Sequence, residues 1–155
     1  MKKFVLALSL FLLFACGKSV TPYTPPIPVP LNPTVKATVL TFGAYNCSIC
    51  SRELPDLDAY FEQNLRQEAG MYEVITYVVD ARSQDSADNY GEKLGLSFKM
   101  FPDFRCREYG KYFQGACMVP ATVLLDKDGN VVKNFGKGTP NFQDLTALIK
   151  KTILK

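Results

Sequence analysis

The chain contains no histidine and no tryptophan among its 155 residues. Without an imidazole, Ser-His-Asp and Cys-His catalysis and histidine-ligated metal sites are excluded. Charge of either sign is modest. The net value of +3 falls to +1 if Lys2 and Lys3 leave with an N-terminal segment. A balance so near neutral has no electrostatic footprint for nucleic acid, and no nucleic-acid partner is expected. Long apolar runs are also scarce, and the one at Phe4–Phe14 is too short to span a bilayer stably. No internal repeat is visible. The length suits one domain around one core.

What is present begins with Lys2-Lys3, the apolar run and Leu13-Phe14-Ala15-Cys16-Gly17. This pattern predicts an export signal over residues 1–15, cleaved just before Cys16. Leu-Phe-Ala-Cys resembles the lipobox of bacterial lipoproteins, in which that cysteine carries the lipid. The alternative is an ordinary secretory signal with a chance cysteine. Acyl chains contribute about 0.8 kcal/mol per buried methylene, so a multiply acylated Cys16 would hold the chain firmly on a membrane. Residues 16–33 then carry six prolines, from Pro22 to Pro33, with almost no charge. Such a segment favours polyproline II at about 3.1 Å per residue, a spacer reaching roughly 50 Å.

The expected folded domain covers 34–155. Val35–Phe42 reads as a buried strand. Leu54, Leu57, Tyr60, Phe61 and Leu65 then recur at helical spacing from Ser51 onward, with Pro55 expected to kink that helix. Glu73–Asp80 is a second apolar strand, so strand, helix and strand imply a right-handed βαβ unit. Ser86–Leu94 reads as a shorter helix ending at Gly95, and Met100–Tyr112 as a half-exposed helix or loop. Ala121–Leu125 and Asn130–Phe135 flank Asp126-Lys127-Asp128-Gly129, a hairpin signal. Asn141–Leu154 closes the chain as an amphipathic helix.

Export permits disulfides, and beside Cys16 the chain has Cys47, Cys50, Cys106 and Cys117, with three possible pairings. Spacing favours Cys47–Cys50 and Cys106–Cys117. A bridge of the second kind would contribute on the order of 3 kcal/mol on chain-entropy grounds. Another reading lets Cys117 exchange with the first pair, and a four-thiolate zinc site ranks last because the gap between Cys106 and Cys117 fits knuckle spacings poorly. Cys47 falls where a strand turns into a helix. Unpaired backbone N–H groups and the helix dipole favour a thiolate there, which makes the sulfur a nucleophile.

Three stretches together resemble the thioredoxin superfamily, nearest its membrane-anchored TlpA/ResA-like thiol-disulfide oxidoreductases. They are Phe42 to Pro55, Met118-Val119-Pro120-Ala121-Thr122 and the Leu125–Val132 hairpin. The resemblance implies an α/β, thioredoxin-like three-layer fold, with a central mixed β-sheet flanked by helices. It implies a cis peptide at Val119–Pro120 facing the cysteine pair, Cys47 as the attacking thiol and Cys50 as the buried resolving thiol. Glu53 matches an acid kept beside the pair in several members, where it could accept the proton of Cys50. Its structural alternative is a first-turn acid favoured by the helix dipole. The chain departs from the family at Asn46, where Trp is usual, at Ser48-Ile49, and at Thr41, where thioredoxins hold a buried Asp. Stabilisation of a Cys47 thiolate thus falls to the helix terminus and to Arg52.

The reading that follows is a monomeric, lipid-anchored oxidoreductase of the bacterial envelope, facing the periplasm. Gly17 after Cys16 favours the outer membrane. Its expected partners are exported proteins with cysteines and a membrane electron donor or acceptor, and no cofactor or metal is expected. The competing reading is a redox-inactive envelope lipoprotein that keeps the fold as a binding or structural module.

Overall fold

The computed structural model describes residues 31–155. The expected signal, Cys16 and the spacer as far as Pro30 lie outside the described residues. Eight main elements follow in order: β1 (Ala37–Gly43), α1 (Ser48–Asn64), β2 (Tyr72–Val78), α2 (Gln84–Leu94), β3 (Lys99–Pro102), β4 (Ala121–Asp126), β5 (Val131–Lys137) and α3 (Phe142–Ile153). The strands form one sheet in the order β3-β2-β1-β4-β5. β1, β2 and β3 run parallel, and β4 and β5 run antiparallel to their neighbours.

Alternation along β1 sorts its side chains onto two faces. Ala37 and Val39 join Leu54, Leu57 and Phe61 of α1, Ala87 and Tyr90 of α2, and Leu145 and Ile149 of α3. Leu40 and Phe42 point the other way, into a cluster with Ile75, Tyr77, Tyr109, Phe113 and Val123. Two successive crossovers, β1 to β2 and β2 to β3, step across the sheet in one direction. Right-handedness therefore places both α1 and α2 on one face. The opposite face is covered by the β3–β4 connection, which contains a short 3-10 turn at Tyr109–Lys111.

Local chemistry sets the element ends. Ser83 and Asn141 cap α2 and α3 with side-chain oxygens that accept backbone N–H groups. Gly95 ends α2 in the left-handed conformation at φ 66°, which costs glycine little. Asp126 accepts the N–H groups of Asp128 and Asn130 at 2.9 Å each, closing the hairpin.

Two expectations are corrected. α1 begins at Ser48, because Cys47 takes the cap position. Pro55 lies inside it, the eighth of its 17 residues. The helix runs on to Asn64 although the proline removes one interior backbone hydrogen bond. The Met100–Tyr112 stretch is neither a helix nor a simple loop. Lys99–Pro102 pairs with β2 as an edge strand, and the rest turns back over the sheet.

Candidate functional site

β1 ends at Gly43, where a Cβ would lie 3.1 Å from Leu54 Cδ1 and 3.3 Å from the Tyr90 hydroxyl. That closeness lets the chain turn tightly under α1 into Ala44-Tyr45-Asn46-Cys47. Asp80, just past β2, accepts the Tyr45 N–H at 3.0 and 3.1 Å and pins this turn. The Tyr45 hydroxyl donates to the Ser86 carbonyl, and its ring meets Tyr90 edge-on at 5.0 Å.

Cys47 is the N-cap of α1, and its sulfur accepts the Cys50 N–H at 3.0 Å. Cys47 and Cys50 are joined as a disulfide. Cys50 is fully buried and Cys47 half-buried, so an incoming group meets Cys47 first. The Cys47 sulfur lies 3.7 Å from the carbonyl oxygen of Val119, and the Val119–Pro120 peptide is cis. The cysteine pair is rimmed by apolar side chains that remain partly in solvent: Tyr45 (38% exposed), Ile49 (48%) and Met118 (54%).

The Glu53 carboxylate is engaged by Arg52, with Nη2 at 2.9 Å and Nε at 3.1 Å. Glu53 is the less exposed of the two, so it sits against the helix while Arg52 reaches across it. Arg52 is thereby paired with Glu53. Thr41 stands on the helix face of the sheet, where its hydroxyl meets that of Thr76 at 2.7 Å. Each hydroxyl satisfies the other, so no ionisable group occupies this buried position. Tyr90 is buried with a hydroxyl that finds no hydrogen-bond partner among the described residues. Burial, with smaller contributions from Asp80 and Tyr45, pushes its phenol up to about 12.

Cys106 and Cys117 form a second disulfide. It closes the β3–β4 connection ahead of Met118-Val119-Pro120. Within that connection Asp103 is fully buried, and its carboxylate accepts the N–H groups of Glu108 (2.9 Å) and Tyr109 (3.0 Å). Burial outweighs these donors and holds the Asp103 carboxyl above its usual range. Asp80, Tyr90, Asp103 and Tyr109 are absent from the sequence-derived site. None of the four carries a local signal in the sequence. Among the described residues no cluster of three or more histidine, cysteine or carboxylate groups could hold a metal ion. No helix among them is long and apolar enough to cross a membrane.

A mixed sheet with β1, β2 and β3 parallel and β4-β5 antiparallel, flanked by helices and carrying a Cys-x-x-Cys pair where β1 enters α1, is the thioredoxin-like three-layer fold. No known sequence family matches the chain, and no curated protein matches it. Similarity to solved structures is extensive. A proposed protein disulfide isomerase of Bacteroides thetaiotaomicron has a TM-score of 0.63 at 20% identity, covering 77% of this chain and 75% of that one. A thioredoxin-family thiol:disulfide interchange protein of Chlorobium tepidum has a TM-score of 0.59 at 19% identity, covering 78% and 82%. A secreted disulfide oxidoreductase of Mycobacterium tuberculosis, homologous to E. coli DsbE, has a TM-score of 0.56 at 20% identity, covering 78% and 84%.

Proposed function

We propose that the protein is a thiol-disulfide oxidoreductase acting on exported protein thiols and disulfides. The observation that carries this reading is the Cys47–Cys50 bond at the N-cap of α1, with Cys47 half-buried beside the Val119 carbonyl and Cys50 fully buried behind it. In the reduced enzyme the Cys47 thiolate attacks one sulfur of a substrate disulfide. A Cys47–substrate disulfide forms, and the displaced substrate thiolate takes a proton. Cys50 then loses its proton to Glu53 or solvent and attacks the Cys47 sulfur, releasing the second substrate thiolate. Two electrons pass to the substrate, and the Cys47–Cys50 disulfide remains. The reverse sequence oxidises a substrate dithiol. Pro120 holds the arm against which the substrate strand lies. The apolar rim of Tyr45, Ile49 and Met118 suits an unfolded or extended segment, since such segments expose apolar side chains.

In the same reading residues 1–15 are a lipoprotein signal, Cys16 carries the lipid, 16–33 is the spacer and 34–155 the catalytic domain. The protein would face the periplasm and exchange electrons with a membrane donor or acceptor. An insulin-reduction assay with dithiothreitol tests the chemistry. Wild type should precipitate the insulin B chain faster than dithiothreitol alone, and Cys47→Ser should fall to that background. Equal rates for the two proteins reject the reading.

A further inference from the structure

The β3–β4 connection is more than cover for the sheet. It is built around Tyr109, whose ring stacks on Phe113 (4.6 Å between centroids) and meets Phe42 of β1 edge-on at 5.4 Å. Its backbone N–H is held by buried Asp103. At the far end of the side chain, the hydroxyl accepts the Met118 N–H at 3.2 Å and donates to the Ala116 carbonyl at 3.5 Å. Met118 immediately precedes Val119, whose carbonyl lies against the Cys47 sulfur. Resting on the functional reading above, we infer that Tyr109 is a positioning residue for Cys47, acting through the Met118-Val119-Pro120 arm.

Two further features belong to the same device. Arg105 and Cys106 are consecutive non-glycine residues at positive φ, 72° and 56°. Left-handed backbone is unfavourable at such residues and persists where surrounding contacts enforce it. Here the contacts are the Cys106 N–H to the Asp103 carbonyl (2.8 Å), the Gly110 N–H to the Cys106 carbonyl (2.9 Å), and the bond from Cys106 to Cys117. The bridge therefore joins the base of the Tyr109 turn to the residue before Met118. The turn and the arm form a closed loop, with the Tyr109 hydroxyl as the strut across it. Since a thiolate's reactivity follows its immediate surroundings, moving the Val119 carbonyl changes the field at Cys47.

Tyr109→Phe keeps the ring and removes only the strut, and the readouts need no substrate. They are the pH profile of Cys47 alkylation by iodoacetamide in the reduced protein, the equilibrium of the Cys47–Cys50 pair with glutathione, and Met118 amide exchange by NMR. One hydrogen bond is worth about 0.5–1.5 kcal/mol, a factor of roughly 2 to 13, and the alkylation rate at fixed pH or the glutathione equilibrium should move by at least twofold within that bound. Met118 should also exchange faster. Tyr112→Phe serves as the control, because it removes a phenol hydroxyl from the same segment without touching the arm, and it should move neither. An alkylation profile and a glutathione equilibrium both unchanged in Tyr109→Phe overturn the inference, whatever Met118 does. If Tyr109→Phe does not melt cooperatively, the Cys106→Ala/Cys117→Ala double variant opens the same loop, and the same two outcomes decide. Wild type inactive on insulin, together with a shifted Cys47 in Tyr109→Phe, would reject the oxidoreductase reading and leave the positioning role standing.

Discussion

Tyr90 has a buried hydroxyl without a partner, at the point where Gly43 hands the chain to the cysteine turn. An unpaired buried polar group costs on the order of 1–3 kcal/mol, whereas the ring itself packs usefully against Tyr45 and within the core cluster of the helix face. Tyr90→Phe should therefore raise stability by about 1 kcal/mol, seen as a higher melting temperature at neutral pH. A lower one would mean that the hydroxyl has a role in the fold. Thr41 behaves differently although it is also buried and polar, because Thr76 stands directly across β1–β2 and pairs with it. Thr41 is recognisable in the sequence as a departure from the Asp that thioredoxins hold at the matching position. Its partner is not, since nothing near Thr41 in the chain points to residue 76. Glu53 and Arg52 are adjacent, yet their mutual ion pair also had to be seen, because each has other candidates within reach of a helix surface.

At the level of elements, strong periodicity is decisive where it exists. The apolar alternation of β1 and β2, the helical spacing after Cys50 and the Asp126–Asn130 turn are all local patterns, and each yields an element close to its observed bounds. β3 fails that test because Lys99-Met100-Phe101-Pro102 is short and has no clear alternation. It becomes a strand through pairing with β2 and through α2 packing over it. Gly91 shows how close that packing is: a Cβ there would meet Met100 Cγ at 2.7 Å. Gly91→Ala gains about 1 kcal/mol of helix propensity but forces Met100 aside, at a typical cost of about 1–3 kcal/mol. A net loss of stability, read as a lower urea midpoint with an unchanged slope, is expected. A gain would mean that α2 and β3 have room to separate.

Across the whole molecule, tyrosines line both faces of the sheet, and the shifted ones share a direction. Burial is the first cause in each case, raising the phenols of Tyr72, Tyr77, Tyr90 and Tyr112 above their ordinary value. A raised folded-state pKa means that the native protein holds protons which the unfolded chain has released. Their contribution is therefore complete below pH 10 and is lost as pH climbs through the folded values, about 12 for Tyr90. Denaturation midpoints should fall steadily between about pH 10 and 12. Phenolate absorbance at 295 nm should lag behind that of the urea-unfolded chain over the same range. Coincident titration curves would show that the phenols are solvated. Tyr90→Phe should lose less stability than wild type over this window.

The amino-acid sequence by itself determined what depends on neighbours a few residues apart. That comprises the helix that starts beside Cys47, the apolar faces of β1 and β2, the hairpin, and the α/β arrangement that these elements imply. Backbone propensity, side-chain period and turn chemistry act over one or two turns of chain, so they leave a readable pattern. Tertiary structure alone decided the rest. Tyr45 and Asp80 are 35 positions apart, and Cys47 and Val119 are 72 apart. The β3–β4 connection covers a sheet face because right-handed crossovers send α1 and α2 to the other side. Tyr109 reaches the Met118 arm only once that cover is in place. Each of these contacts forms when the sheet brings distant segments to one edge, and such closure leaves no periodic trace in the chain.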